Sequence, residues 1–146
     1  MNLAIAQAIF VLGTIPFIAL GSLHAVFTCI DQRRPYRISP SDPAVRSAMQ
    51  RSRLKIHPSS NLWQAWIGFN YSHSFGAMLY GIVFMILATD DFPRLTSSVS
   101  LMSIAIVIPL TYTWLAWSFW FITPAIGVTF SSACMLVSSL LVWYQK

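Results

Sequence analysis

One uncharged part of the chain reads SSVSLMSIAIVIPLTYTWLAWSFWFITPAIGVTFSSACMLVSSLLVWY, residues 97–144. It contains no Asp, Glu, Lys or Arg. An α-helix crosses the hydrocarbon core of a bilayer in about 20 residues, so this stretch is long enough for two crossings. We expect the break between them at Thr123-Pro124. Proline fits the first turn of a helix, and the residue before it avoids helical geometry.

Two earlier stretches, 3–30 and 62–88, are also apolar and free of formal charge. Strands of a membrane barrel would appear as alternating segments of about ten residues, so these continuous runs favour helices. The first run lacks the basic start of a cleaved signal peptide and is much longer than its apolar core. We predict an all-α transmembrane four-helix bundle, a single domain over 1–146, with spans at about 3–30, 62–88, 97–121 and 124–144.

The overall composition excludes several other classes of protein. Hydrophobic residues make up 56% of the chain and charged residues 9%, whereas soluble domains carry about 25% charged residues. A water-facing globule and a disordered tail are therefore excluded. The net charge is +5, but no basic fold large enough to hold a duplex is evident, so we expect no nucleic acid partner.

The basic residues are concentrated in the connection 31–60, between the first two spans. Seven of the nine lie there: Arg33, Arg34, Arg37, Arg46, Arg51, Arg53 and Lys55. Loops rich in Lys and Arg stay in the cytoplasm, so we expect both termini on the opposite side of a bacterial inner membrane. We also expect these residues to bind the anionic headgroups of the bilayer.

The same connection contains the signals of a short helix. Ser41-Asp42-Pro43 reads as an N-cap followed by proline at the first helical position. Apolar and small side chains then form one stripe from Pro43 to Ile56, with the basic residues off it. This pattern predicts a cytoplasmic interfacial helix between helices one and two, lying on the membrane surface.

Polar side chains within spans one and two suggest a pocket. Both spans begin or end at the same membrane boundary, and rise arithmetic places His24 roughly 10 Å and His73 roughly 16 Å from it. Polar groups in hydrocarbon cost free energy and often mark functional sites. The candidate ligand-binding residues are His24, Thr28, Asn70, His73 and Ser74.

Small residues suggest how the spans pack. Gly68, Ser72 and Gly76 recur every four residues on the side of span two roughly opposite its polar stripe. Such a ladder lets another helix approach closely. We predict that it packs against Gly13 or Gly21 of span one.

Three interpretations of the polar pocket remain open. Two facing histidines could ligate a haem iron, but no third or fourth ligand for another metal is evident. Histidine with amide and hydroxyl groups also suits a quinone, a lipid headgroup or proton transfer. Alternatively, the histidines only hold helices together. The sequence contains no recognisable catalytic motif, so whether the protein is an enzyme stays open.

The sequence of span two also resembles a known family. A Trp-x-x-Trp-x-Gly-Phe-Asn-x-Ser-His-Ser pattern occupies 63–74, and Gly21, His24 and Phe27 extend the likeness, as does the proline-led fourth span after Thr123. In these features the chain resembles a family of small uncharacterised bacterial four-helix membrane proteins. The resemblance implies a bacterial inner membrane and four helices, and it implies no activity.

Three functions are therefore considered. The first is an accessory or interaction subunit of a larger membrane assembly, or an oligomer of this chain. The second is a protein or enzyme that binds a lipid, quinone or other apolar ligand at the His24, Asn70 and His73 pocket, with haem as a variant. A transporter comes last, because the spans contain no charged relay and no detectable repeat.

Overall fold

The structure is a computed structural model that describes residues 2–144, and this part of the chain is α-helical. Four of its helices are long and apolar enough to span a membrane, which confirms the predicted all-α fold with four long helices. In chain order, the helices are α1 (Asn2–Arg33), α2 (Pro43–Arg51), α3 (Leu62–Asp90), α4 (Phe92–Ser97), α5 (Val99–Phe119) and α6 (Ile122–Trp143).

The break between the last two long helices lies earlier than predicted. Trp120 is the C-cap residue that follows α5. Phe121 precedes α6 in an extended conformation, with φ −123° and ψ 168°. Pro124 is the third residue of α6. The first turn of a helix has unbonded N–H groups, so proline is accepted inside it without loss of a hydrogen bond. Proline therefore marks the start of α6 and not the turn before it.

The sequence predicts no helix between the spans at 62–88 and 97–121, but the short helix α4 lies there. The Asp91 side chain accepts a hydrogen bond from the Arg94 N–H at 3.0 Å and caps the helix. Pro93 lies in the first turn of α4, where the backbone N–H that proline lacks would have no partner within the helix. Phe92 and Leu95 are almost fully buried, so local capping and apolar burial together stabilise this turn and a half.

The short helix of the basic connection, α2, ends earlier than predicted. It starts as expected, with the Asp42 side chain accepting a hydrogen bond from the Ala44 N–H at 2.8 Å. It ends at Arg51 instead of Ile56, because the following backbone pairs with residues 60–62, at the start of α3. The Leu62 N–H donates to the Ser52 carbonyl at 2.9 Å, and this pairing is incompatible with a continued helix.

Contacts divide the chain into two compact units, and α1 and α3 contribute to both. The first unit contains residues 2–20 and 77–144, in which the N-terminal part of α1, the C-terminal part of α3, α5 and α6 form a four-helix bundle. Its core is aromatic: the Tyr80 ring centroid lies 4.6 Å from that of Phe17 and 4.9 Å from that of Phe84. The Tyr80 hydroxyl donates to the Ala105 carbonyl at 2.8 Å.

Helices of the first unit approach closely at glycines. A Cβ placed on Gly13 would lie 2.8 Å from the Cβ of Cys134 in α6. A Cβ on Gly81 of α3 would lie 2.6 Å from Ile18 Cγ1 and 3.0 Å from the Thr14 carbonyl oxygen in α1. Contacts this short leave no room for a side chain. Glycine therefore permits helix packing in this unit.

The second unit contains residues 21–76. It consists of the C-terminal part of α1, the basic connection with α2, and the N-terminal part of α3. All five candidate pocket residues and all seven basic residues of the connection lie in this unit. The second unit therefore contains all the candidate ligand-binding residues and all the candidate headgroup-binding residues that the sequence singled out.

Candidate functional site

An amide and an imidazole connect α1 to α3 in the second unit. His24 Nε2 lies 2.8 Å from Asn70 Oδ1, and Asn70 Nδ2 donates to the Trp66 carbonyl at 2.7 Å. Because the amide nitrogen is the donor to Trp66, its oxygen is the acceptor toward His24. The proton of the His24 ring in this pair is therefore on Nε2.

The second histidine lies beside the first. The ring centroids of His24 and His73 are 5.6 Å apart, with the rings at 83° to each other. This is edge-to-face contact. Phe69 stacks on His73, with 6.1 Å between the two ring centroids and 17° between the ring planes. The predicted convergence of His24, Asn70 and His73 is present in the structure.

The two hydroxyl residues of the predicted pocket bond to their own helices. Thr28 Oγ1 donates to the His24 carbonyl at 2.8 Å, and Ser74 Oγ donates to the Asn70 carbonyl at 2.7 Å. Both side chains are fully buried, and Asn70 is 4% exposed. The hydroxyl and amide groups therefore each make a hydrogen bond within the cluster or to their own helix.

The arrangement does not fit a haem held between the two histidines. An iron ligated by both rings needs the porphyrin plane between them. Here the rings touch edge to face, and His24 Nε2 is bonded to Asn70. Within residues 2–144, no group of three or more His, Cys, Asp or Glu side chains is placed to hold a metal ion. The haem variant is therefore not supported.

The small-residue ladder does not pack against span one. Gly68, Ser72 and Gly76 are exposed, and a Cβ placed on Gly68 would meet no atom within 4 Å. The opposite side of α3 is buried instead, because Asn70 and His73 pair there with His24. Gly13 is a packing residue, as expected, but its neighbour is α6. Gly21 is buried.

The basic connection is built around an acid near the end of α1. Asp31 is fully buried. Its carboxylate accepts hydrogen bonds from four consecutive backbone N–H groups at 2.8–3.0 Å, those of Tyr36, Arg37, Ile38 and Ser39. The available signal was an isolated acid at the end of a span, directly before a proline-punctuated, arginine-rich loop.

Aromatic rings contact the same connection. The Trp66 Nε1–H donates to the Ile38 carbonyl at 3.2 Å. The Arg37 guanidinium lies 5.8 Å from the centroid of the Phe27 ring, and the Arg46 guanidinium lies 4.7 Å from that of Trp63. Cation–π contacts of this kind hold arginine side chains at an aromatic surface. Arg46 is partly buried, and the other six basic residues are exposed.

Comparison of the chain with protein families, curated proteins and solved structures gives no match. The resemblance in the motif at 63–74 therefore remains a prediction.

Proposed function

We propose that this protein is a multi-pass protein of a bacterial inner membrane that works as an interaction subunit and self-associates through the outer face of α3. The connection 31–60 is then cytoplasmic, with both termini on the opposite side. The membrane assignment is supported by the four long apolar helices. The observation that supports self-association is that the ladder of Gly68, Ser72 and Gly76 is exposed, and that a Cβ placed on Gly68 would meet no atom within 4 Å.

The use of glycine elsewhere in the chain supports this proposal. Gly13, Gly81 and Gly127 each lie where a Cβ would meet another helix at 2.6–2.8 Å. Gly68 is open, although it is also in the middle of a long helix. Glycine in a helix interior costs about 1 kcal/mol relative to alanine. Close packing of a further helix against Gly68 would account for glycine at this exposed position.

A second copy of the chain suits this face. Two large side chains, Phe69 and Phe75, flank the ladder and are 61% and 57% exposed. No formal charge lies between 62 and 88, so two copies can approach without repulsion. Small residues with large neighbours are self-complementary around a twofold axis. The same patch on both subunits would then form the contact.

The chemical alternative has less support. Binding of a lipid, quinone or other apolar ligand at His24, Asn70 and His73 would need polar groups directed at that ligand. The hydrogen bonds of His24 and Asn70 are instead made within the cluster. The cluster therefore supports a structural role in holding α1 to α3.

Cross-linking in native membranes tests self-association. In a background with Cys29→Ser, the variant Ser72→Cys should form a disulfide-linked or bismaleimide-linked dimer, because Ser72 lies in the middle of the proposed contact. Val107→Cys is the matched control, since Val107 is 58% exposed on α5 and outside the contact. The control should remain monomeric under the same conditions.

A second variant separates association from folding. Gly68→Leu adds a large side chain where there is open space, so the monomer should keep its thermal stability and the Ser72→Cys cross-link should disappear. A monomer at all reagent concentrations would refute self-association. A product of a different mass would also refute it and would point to a larger assembly. Persistence of the dimer in Gly68→Leu would exclude this face as the contact.

A further inference from the structure

The arginine loop, defined as residues 33–39, has a fixed backbone. Four of its successive N–H groups bond to the buried Asp31 carboxylate, and its Ile38 carbonyl accepts from Trp66. An ionised carboxylate is the acceptor best suited to collect several N–H donors. The loop is thus held from both sides, by α1 through Asp31 and by α3 through Trp66.

Three arginines project from this fixed backbone. Arg33, Arg34 and Arg37 are exposed. Within the residues that the structure describes, none of their guanidinium groups donates a hydrogen bond or forms an ion pair. The Arg37 guanidinium instead contacts two aromatic rings, and its Cζ lies 5.5 Å from the centroid of the Tyr36 ring and 5.8 Å from that of the Phe27 ring. Arg33 is fixed at its base as the last residue of α1, Arg34 by the bond from its N–H to the Ile30 carbonyl, and Arg37 by the bond to Asp31. Three positive groups are therefore available for an anion.

The position of the loop identifies the kind of anion. Arg33 is the last residue of α1, a helix long and apolar enough to span a membrane. The loop therefore lies at the depth of the lipid headgroups if α1 spans as proposed. Guanidinium groups bind phosphate oxygens in pairs of parallel hydrogen bonds, and anionic lipids present phosphate at this depth.

We propose that the arginine loop is a binding site for the phosphate of an anionic phospholipid headgroup, and that Asp31 is the residue that positions it. This goes beyond self-association and requires only the membrane embedding of the proposed function. An acid at the centre of a basic surface would ordinarily weaken anion binding. Here its charge is used by four N–H groups, including that of Arg37, and its effect is to fix the backbone from which Arg37 projects beside Arg33 and Arg34.

The test measures lipid-dependent thermal stabilisation of the full chain, extracted from membranes into a zwitterionic detergent. A ligand that binds the folded state raises the unfolding temperature. We expect dioleoyl-phosphatidylglycerol to stabilise the protein, and dioleoyl-phosphatidylcholine and inorganic phosphate to have little effect. Stabilisation by inorganic phosphate alone would overturn the lipid assignment. A chain missing from the membrane fraction would instead contradict the embedding on which this proposal rests.

Two charge-matched triple variants test the site. Arg33→Ala, Arg34→Ala and Arg37→Ala together should raise the half-maximal phosphatidylglycerol concentration by roughly tenfold or more. Substitution by Ala keeps the backbone N–H of residue 37, so all four bonds to Asp31 are kept. The control removes the same charge from exposed residues of the same connection, with Arg51, Arg53 and Lys55 changed to Ala. The sequence grouped these three with the loop arginines as headgroup-binding residues, and the proposal narrows the site to the loop. It should shift the concentration by less than about twofold. Equal losses in both would mean diffuse charge attraction and would overturn the proposal.

Asp31→Asn distinguishes a positioning role of Asp31 from simple charge attraction. It makes the connection more positive by one charge, so simple electrostatics predicts tighter binding of phosphatidylglycerol. The proposal predicts weaker binding, because a neutral amide cannot accept the four N–H groups as the carboxylate does. Unchanged or tighter binding by Asp31→Asn would refute the positioning role. If this variant does not fold, the two triple variants still decide the site.

Discussion

Glycine to alanine substitutions at two positions of the same helix should have opposite effects on stability. Gly68 and Gly81 both lie inside α3, so the intrinsic gain in helix propensity is the same for each, about 1 kcal/mol. Around Gly68 a Cβ would meet no atom within 4 Å. Gly68→Ala should therefore raise the free energy of unfolding, by up to about 1 kcal/mol.

At Gly81 the added methyl group has no room. It would lie 2.6 Å from Ile18 Cγ1, 3.0 Å from the Thr14 carbonyl oxygen and 3.1 Å from the Ile18 backbone nitrogen. Carbon atoms in ordinary contact are about 3.5–4.0 Å apart, so α1 and α3 would have to separate locally by roughly 1 Å. Overpacking of this kind costs about 1–3 kcal/mol. This cost should be the difference in stability between Gly68→Ala and Gly81→Ala.

Equilibrium unfolding by sodium dodecyl sulfate, in mixed micelles at a protein concentration where the chain is monomeric, measures this difference. Both variants are compared with the natural chain under identical conditions, so errors from extrapolation largely cancel. The result that would refute the reasoning is a Gly81→Ala protein as stable as Gly68→Ala. It would mean that α1 and α3 are not in close contact at Gly81.

Two further outcomes concern hydrogen bonds. Asn70→Ala removes the acceptor for His24 and should lower the free energy of unfolding by about 0.6 kcal/mol, the average for hydrogen bonds between membrane helices, and by no more than about 1.7 kcal/mol. A double-mutant cycle with His24→Ala measures the coupling, and additive losses would contradict direct pairing. Tyr80→Phe keeps the packed ring but loses the buried bond to the Ala105 carbonyl, so it should cost about 1 kcal/mol. Tyr71→Phe loses an exposed bond, from the Tyr71 hydroxyl to Gln32 Oε1 at 3.1 Å, and should cost less in the same titration.

Hydropathy alone was sufficient to predict the number and approximate limits of the long helices. Uncharged runs of 20 or more residues have few alternatives, because backbone groups in an apolar environment must bond within the helix. Limits shifted only where local capping decided them. Asp91 starts α4 inside an expected loop, and the pairing of Leu62 with Ser52 ends α2 early. Both effects depend on backbone geometry that hydrophobic patterns do not contain.

The orientation of α3 shows what periodicity cannot decide. The sequence separates two faces of this helix correctly, one with Asn70 and His73 and the other with Gly68 and Ser72. Either face can pack against a neighbour, by hydrogen bonds or by close approach. The choice depends on the partner, and His24 on α1 provides the matching donor for Asn70. A pattern read from one helix carries no information on this pairing.

Asp31 was missed for a related reason. Its partners are only five to eight residues away in the chain, so the interaction is local. Its donors, however, are backbone N–H groups, which every residue except proline possesses, and they converge only when the loop bends around the carboxylate. Side-chain types therefore reveal an acid before a basic loop, and they do not reveal that the loop bends around it.

The two units show that this chain packs its helices in two different ways. In residues 2–20 and 77–144, helices meet through glycine and a closely packed aromatic core, so their stability should depend mainly on volume. In residues 21–76, α1 and α3 are joined by the His24–Asn70 bond and by the loop around Asp31, so stability there should depend mainly on hydrogen bonds. Polar pairing takes up one side of α3 in this unit. The small residues are consequently left on the outside, where they can serve contact with another molecule.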